Sequence, residues 1–169
     1  FANVEQQINA NENLEKLIGM QQQSQAATAV SYIGKTVEAD ARKLPLQDGL
    51  AKLRYRLDEQ SASTSLVVRD EGGRVVFNTE GETTAGWHDY TWNGTDNFGF
   101  PLQDGLYEVS VTAVNGEGEN VDMKTTVIAD VTSVSSEDGN ISLSMSGLEV
   151  GLGDVLAVHE KTTTDQTTN

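Results

Sequence analysis

Trp87-His88-Asp89-Tyr90-Thr91-Trp92 runs into Asn93-Gly94, and a little further on comes Tyr107-Glu108-Val109-Ser110-Val111-Thr112-Ala113. The second run alternates strictly: Tyr107, Val109, Val111 and Ala113 share one face, and Glu108, Ser110 and Thr112 the other. Period two of this kind predicts a half-buried strand. Asn-Gly is the commonest dipeptide of a two-residue hairpin turn, because both central residues need positive φ. Pro101 has no N–H to donate and is expected at a sheet edge or in a loop. Asp104-Gly105 marks another turn. Tyr90 and Trp92, if in one strand, share a face, and a β core is their expected place.

The same pattern extends in both directions. Upstream, Ala51, Leu53, Tyr55 and Leu57 alternate with the basic Lys52, Arg54 and Arg56. Ser65–Asp70 and Val75-Val76-Phe77 flank Glu71-Gly72-Gly73-Arg74, which predicts a hairpin. Tyr32–Ala39 is a short β-like run entered through Gly34. Downstream, short runs at Thr125–Ala129, Val131–Val134, Ile141–Met145 and Leu148–Val158 complete the series, with a turn at Glu137–Asn140. Strands at such spacing mean a sandwich or small barrel. About 130 residues of β pattern exceed the ~100 of one seven-strand sandwich, so two small β units are expected. The Thr-rich end, residues 160–169, has no apolar side chain and is expected to be disordered.

Residues 1–31 lack Pro and are rich in Gln, Asn, Glu and Ala, which predicts a helix. At 100° per residue, Phe1, Val4, Ile8, Leu14, Ile18, Val30 and Ile33 fall within an arc of about 160°, an amphipathic stripe. Leu17 and Met20 lie off it, and Gly19 costs about 1 kcal/mol relative to Ala. Such a helix is about 45 Å long. Its stripe could pack on its own domain, bury itself against another chain, or wait disordered for a partner. Burial against another chain is the expectation.

Composition narrows the function. The chain has 169 residues, 11 Lys+Arg against 26 Asp+Glu, and a net charge of −15. Nucleic-acid binding needs clustered Lys and Arg, so no nucleic acid is expected as partner. Docking on anionic lipid is disfavoured for the same reason, and no apolar run approaches the ~20 residues of a membrane span. There is no Cys, hence no disulfide, thiol nucleophile or Cys-ligated zinc. From Val75 to Met123 there is no Lys or Arg, while Arg42 to Arg56 is basic. That asymmetry suits a solvated acidic surface, or steering between copies or toward a basic partner. The chain begins at Phe1 without a signal-like start and reads as a fragment.

Chemistry-bearing motifs are sparse. His88 and His159 are far apart, and no nucleotide-binding, nucleophile-elbow or zinc-protease motif occurs. Asn93–Gly99 loosely resembles a calcium loop, but the position six after Gly99, where a bidentate Glu is needed, is Gly105. An Asx-stabilised turn explains it better than a looser site on Asn93 and Asp96. Asp89 and Asp96 could in principle form a glycosidase pair, though nothing in the sequence makes them converge. Trp87, Tyr90 and Trp92 could form a sugar-stacking platform, against which the core reading is preferred. No catalytic residue, cofactor or metal ligand is assigned.

Gly86-Trp87…Thr91-Trp92-Asn93-Gly94-Thr95-Asp96…Gly99…Leu102…Asp104-Gly105-Leu106-Tyr107 resembles the immunoglobulin-like domain of bacterial flagellar hook-capping proteins. Asn93 stands where the family usually has Asp in Trp-Asp-Gly, and it keeps the turn chemistry. Phe1…Val4-Glu5-Gln6…Leu14…Leu17 and Ser31–Glu38 look like the family's helix and first barrel strand, and Gly147–Val155 also fits. The resemblance covers residues 1 to about 158. It implies a mainly β fold with an N-terminal α-helix: an immunoglobulin/fibronectin-III-like sandwich (49–120) inserted in a discontinuous tudor-like, SH3-like barrel (33–48 and 121–159), after an assembly helix (1–32) and before a tail (160–169). It implies Trp87, Trp92, Asn93, Gly94, Asp96, Gly99, Gly105 and Tyr107 as the structural motif. The family's export-bearing part would lie before Phe1. The implied function is a non-enzymatic scaffold, exported through the type III channel, that self-associates as a ring-like cap on the growing hook. Its partner is the flagellar hook protein. The helix stripe (Val4, Ile8, Leu14, Ile18) is the expected contact surface. The competing readings are a ligand- or glycan-binding module gripping through Trp87 and Trp92, and the accessory domain of a surface hydrolase.

Overall fold

The computed structural model describes residues 1–161. The Pro-free, amide-rich start forms α1 (Ala2–Ser31), which ends before Gly34 turns the chain at φ 81°. The strands follow: β1 (Thr36–Ala39), β2 (Lys43–Leu46), β3 (Ala51–Leu57), β4 (Ser63–Arg69), β5 (Val75–Glu80), β6 (Gly86–Trp92) and β7 (Gly105–Val114). After them come β8 (Met123–Asp130), β9 (Ser133–Glu137), β10 (Asn140–Met145), β11 (Leu148–Gly151) and, beyond a 3-10 turn at Leu152–Asp154, β12 (Val155–His159). The ladders between neighbouring strands are antiparallel.

Three sheets result, with orders β12-β1-β8-β3-β6, β2-β7-β4-β5 and β11-β10-β9. The alternation read in β3 holds: Ala51, Leu53, Tyr55 and Leu57 are buried, and Lys52 and Arg56 are exposed. Along β7, Val109, Val111 and Ala113 point into the core opposite Leu66 and Val68 of β4. The two larger sheets meet across Trp92. Its ring lies 6.0 Å from Phe77 of β5 and 5.1 Å, edge-on, from Tyr107 of β7. The small sheet contributes Ile141, Leu143, Met145, Leu148 and Val150 to the same continuous core. Each fully buried Leu or Val there contributes about 1.5–3 kcal/mol through removal from water.

The ladders cross the boundaries expected at 48/49 and 120/121. β2, assigned with the barrel segment, pairs instead with β7, Leu44 opposite Tyr107. Its three apolar residues explain this: Leu44, Pro45 and Leu46 are all buried, and Pro45 is tolerated because β2 is an edge strand. β8 pairs with β1 on one side and β3 on the other, so one sheet spans both expected units. The expected strand at Val131–Val134 begins later, at Ser133. Of the expected disordered tail, Glu160 and Lys161 form ion pairs with Lys35 and Asp130, at 2.9 and 2.8 Å. Residues 162–169 lie outside the described residues.

Candidate functional site

α1 leaves its apolar side chains in water. Val4, Ile8, Leu14 and Ile18 are 60, 52, 56 and 58% exposed, and of the whole helix only Ala29 is buried. The helix touches the body near its C-terminal end. Ala26 and Ala29 pack on the core, and Gln22 sits over the β9–β10 turn, where a Cβ on Gly139 would come within 2.7 Å of its Nε2. Leu14, Leu17 and Ile18 line one shallow apolar groove with Gln21 and Gln22. Leu17, off the expected stripe, belongs to this surface; its i+3 spacing from Leu14 was the available signal.

The segment after β6 is a tightly bonded turn. Trp92 is fully buried, and its indole N–H donates to the Thr95 carbonyl at 2.9 Å. Asn93 Oδ1 accepts from the Thr95 hydroxyl at 2.8 Å, and Gly94 adopts φ 66°. Asp96 Oδ1 accepts the N–H groups of Phe98 and Phe100, each at 2.9 Å, and Gly99 closes the turn at φ 86°. This is Asx-turn geometry, and it spends one carboxylate oxygen on backbone donors rather than on a cation. Asp104 accepts the N–H groups of Asp48 and Gly49 at 2.8 and 2.9 Å, where the chain turns into β3. Gly105 opens β7, and the Tyr107 hydroxyl donates to the Gln103 carbonyl at 2.7 Å. Burial, then Asp70 and Asp104, pushes the Tyr107 phenol pKa up.

Trp87 and Trp92 face opposite sides of β6. Trp92 enters the core, whereas Trp87 is half exposed under the Arg54 guanidinium, 5.0 Å from its ring centre. A platform built from both rings is therefore excluded by the pleat. Arg54 also contacts Glu38 Oε2 at 3.3 Å and Asp89 Oδ1 at 2.6 Å; the second contact is a charge pairing without aligned hydrogen-bond geometry. The Thr126 hydroxyl donates to Glu38 Oε1 at 2.7 Å. Asp89 is thus an ion-pair partner on the outer sheet face, and Asp96 is locked in its turn. His88 Nε2 donates to the Thr84 carbonyl at 2.6 Å. Among the described residues, no group of three or more His, Cys, Asp or Glu is placed to hold a metal ion. No described helix is long and apolar enough to cross a membrane.

Residues 40–117 match the family model described as FlgD Ig-like domain. The basal-body rod modification protein FlgD of Salmonella typhimurium is 28% identical over 115 residues, 63% of this chain and 50% of that protein. Its Escherichia coli namesake is 36% identical over 61 residues, 36% of this chain and 26% of that protein. The chain thus spans about half, or less, of the length of the curated relatives it matches. The fold is similar to that of FlgD from Xanthomonas campestris, with TM-score 0.68 and 23% identity over 79% of this chain and 99% of that one. FlgD from P. aeruginosa gives TM-score 0.65 and 24% identity, over 75% and 97%. Around the Trp92 turn the chain thus matches the FlgD Ig-like domain, and in sequence and in fold it is similar to proteins that bear the FlgD name.

Proposed function

We propose that the chain is a non-enzymatic scaffold that caps the distal end of the growing flagellar hook and promotes polymerisation of hook subunits. The crystal structure of the X. campestris relative was described for insights into hook capping essential for flagellar assembly, which supports the reading. The observation that carries it here is the helix: a 30-residue element with Val4, Ile8, Leu14 and Ile18 all more than half exposed. An apolar surface of this kind on an acidic protein is a protein contact surface. The stripe holds copies together in a ring-like cap or grips hook protein. Modest, repeated contacts of this sort let a cap hold a moving end yet release it. Its site of action is the tip of the hook, outside the cell.

The β region works as the rigid platform. In this reading 49–120 is the immunoglobulin-like sandwich, and 33–48 with 121–159 is the discontinuous tudor-like barrel, with β2 and β8 as strands shared at the junction. The test is Ile8→Asp/Ile18→Asp. Cap assembly and hook growth should be abolished, while circular dichroism of the β region stays unchanged. Normal hook length on cells carrying that variant would remove the helix from the mechanism. Glycan gripping through Trp87 and Trp92 loses its basis, because Trp92 is buried in the core.

A further inference from the structure

Two of the chain's four phenylalanines stand uncovered on a rigid loop. Phe98 is 86% and Phe100 67% exposed. The loop is braced at every residue. Besides the two bonds to Asp96 Oδ1, the Asp96 N–H donates to the Phe100 carbonyl at 2.9 Å, and the Gly99 N–H to the Asp96 carbonyl at 3.0 Å. Asn97 ties the loop to the free edge of β5: its N–H donates to the Val76 carbonyl at 3.1 Å, and its Oδ1 accepts the Asn78 N–H at 3.0 Å. On the other side, the Leu102 N–H donates to the Gly94 carbonyl at 2.7 Å. Val75, half exposed, lies at the start of the same edge strand. The core does not use these two rings; Phe77 and Tyr107 fill the space around Trp92. Aromatic side chains held out by a pre-ordered loop lose little conformational entropy on binding, which is the making of an interface anchor.

Charge identifies the partner. The loop lies within Val75–Met123, which has nine carboxylates and no Lys or Arg. A protein docking on it must supply positive charge around an apolar recess. A second copy is poorly suited. It carries −15 itself, so net charge opposes the approach of two such surfaces. We propose that Phe98 and Phe100 form an aromatic prong that inserts into an apolar recess rimmed by Lys and Arg on the hook protein. The proposal rests on the hook-capping reading and adds a contact to the hook separate from the helix stripe.

The test uses the whole 169-residue chain and hooks purified from the same bacterium, with binding followed by co-sedimentation at low and high salt. Wild type should bind, more weakly at high salt. Phe98→Ser/Phe100→Ser should weaken binding roughly 30-fold or more, the scale of lost hot-spot anchors, with no change in Tm. Asp96→Ala keeps both rings but frees the loop, and should weaken binding about tenfold through lost pre-ordering. If wild type and the double Phe variant bind hooks equally, the prong is refuted and the capping reading stands. If wild type fails to bind hooks at all, both fall. If wild type self-associates and the double Phe variant does not, the occupant is a second copy and the proposal is overturned.

Discussion

Trp92 and Gly94 show how far single residues carry this fold. Trp92 joins both large sheets, touching Phe77 and Tyr107 and bonding through its indole N–H to Thr95. Trp92→Ala is expected to cost about 3–5 kcal/mol, the range for a large aromatic removed from a core, read by urea unfolding. Gly94 combines φ 66° with close neighbours: a Cβ there would lie 3.0 Å from both the Gly49 carbonyl oxygen and Leu46 Cδ1. Gly94→Ala should therefore destabilise by at least about 1 kcal/mol, and the same unfolding curves would show it. The core place of Trp92 was legible beforehand, since Trp in an alternating strand has one common physical use. The two-residue hairpin expected at Asn93-Gly94 does not form: only Gly94 of the pair takes positive φ, and β6 pairs with β3 rather than with β7, so the dipeptide sits in a longer loop closed by Asp96. The opposite facing of Trp87 was equally legible from period two. Its stacking under Arg54 was not, because the pairing of β3 with β6 that brings them together is set by the sheet.

At the scale of elements, α1 is the exception to the rule that helices are stabilised by packing. It contacts β9 and β10, and the side chains it packs on the core, Ala26 and Ala29, lie in its last two turns. Deleting residues 1–20 should leave the Tm of the β region nearly unchanged. In the intact chain, amides of those residues should exchange rapidly while those of α1 near Ala29 are protected, since an unsupported helix is marginal in water. Slow exchange across Val4–Ile18 in the isolated chain would show support from elsewhere. Length and Pro-free composition announced this helix. Periodicity drew the stripe but left out Leu17, because an arc fitted over the whole helix averages away a local i, i+3 neighbour.

For the whole molecule, the parts distant in sequence are joined by polar clasps as well as by the core. Asp130 at the end of β8 accepts from the Thr36 hydroxyl at 2.6 Å and from Lys161 at 2.8 Å, and its backbone N–H and carbonyl both bond the Gln47 amide. Burial pushes the Asp130 carboxyl pKa up, but the bonds from Lys161 and Thr36, with the Lys161 charge, outweigh it and hold the pKa below its ordinary 3.8. A depressed folded-state pKa contributes stability that is complete above the unfolded value and is lost as pH falls through the folded one. Tm should therefore drop more steeply below about pH 4 in wild type than in Asp130→Asn, whose curve starts lower at neutral pH. Equal slopes would mean that the clasp adds nothing.

The alternation of Ala51–Leu57 and Tyr107–Ala113, the Asn93-Gly94 turn and the Pro-free start determined by themselves that this is a β protein led by a helix. They also marked the tryptophan turn at its centre, because period, turn chemistry and propensity are local properties of the chain. Which strands would pair was decided only in three dimensions. β2 joined β7, and β8 bridged β1 and β3, because burial of Leu44, Leu46 and Val127 depends on surfaces that exist only once the sheets face each other. The same holds for Phe98 and Phe100. Neither period nor turn chemistry singles them out, and only the completed fold, with its central space already filled around Trp92, left them outside.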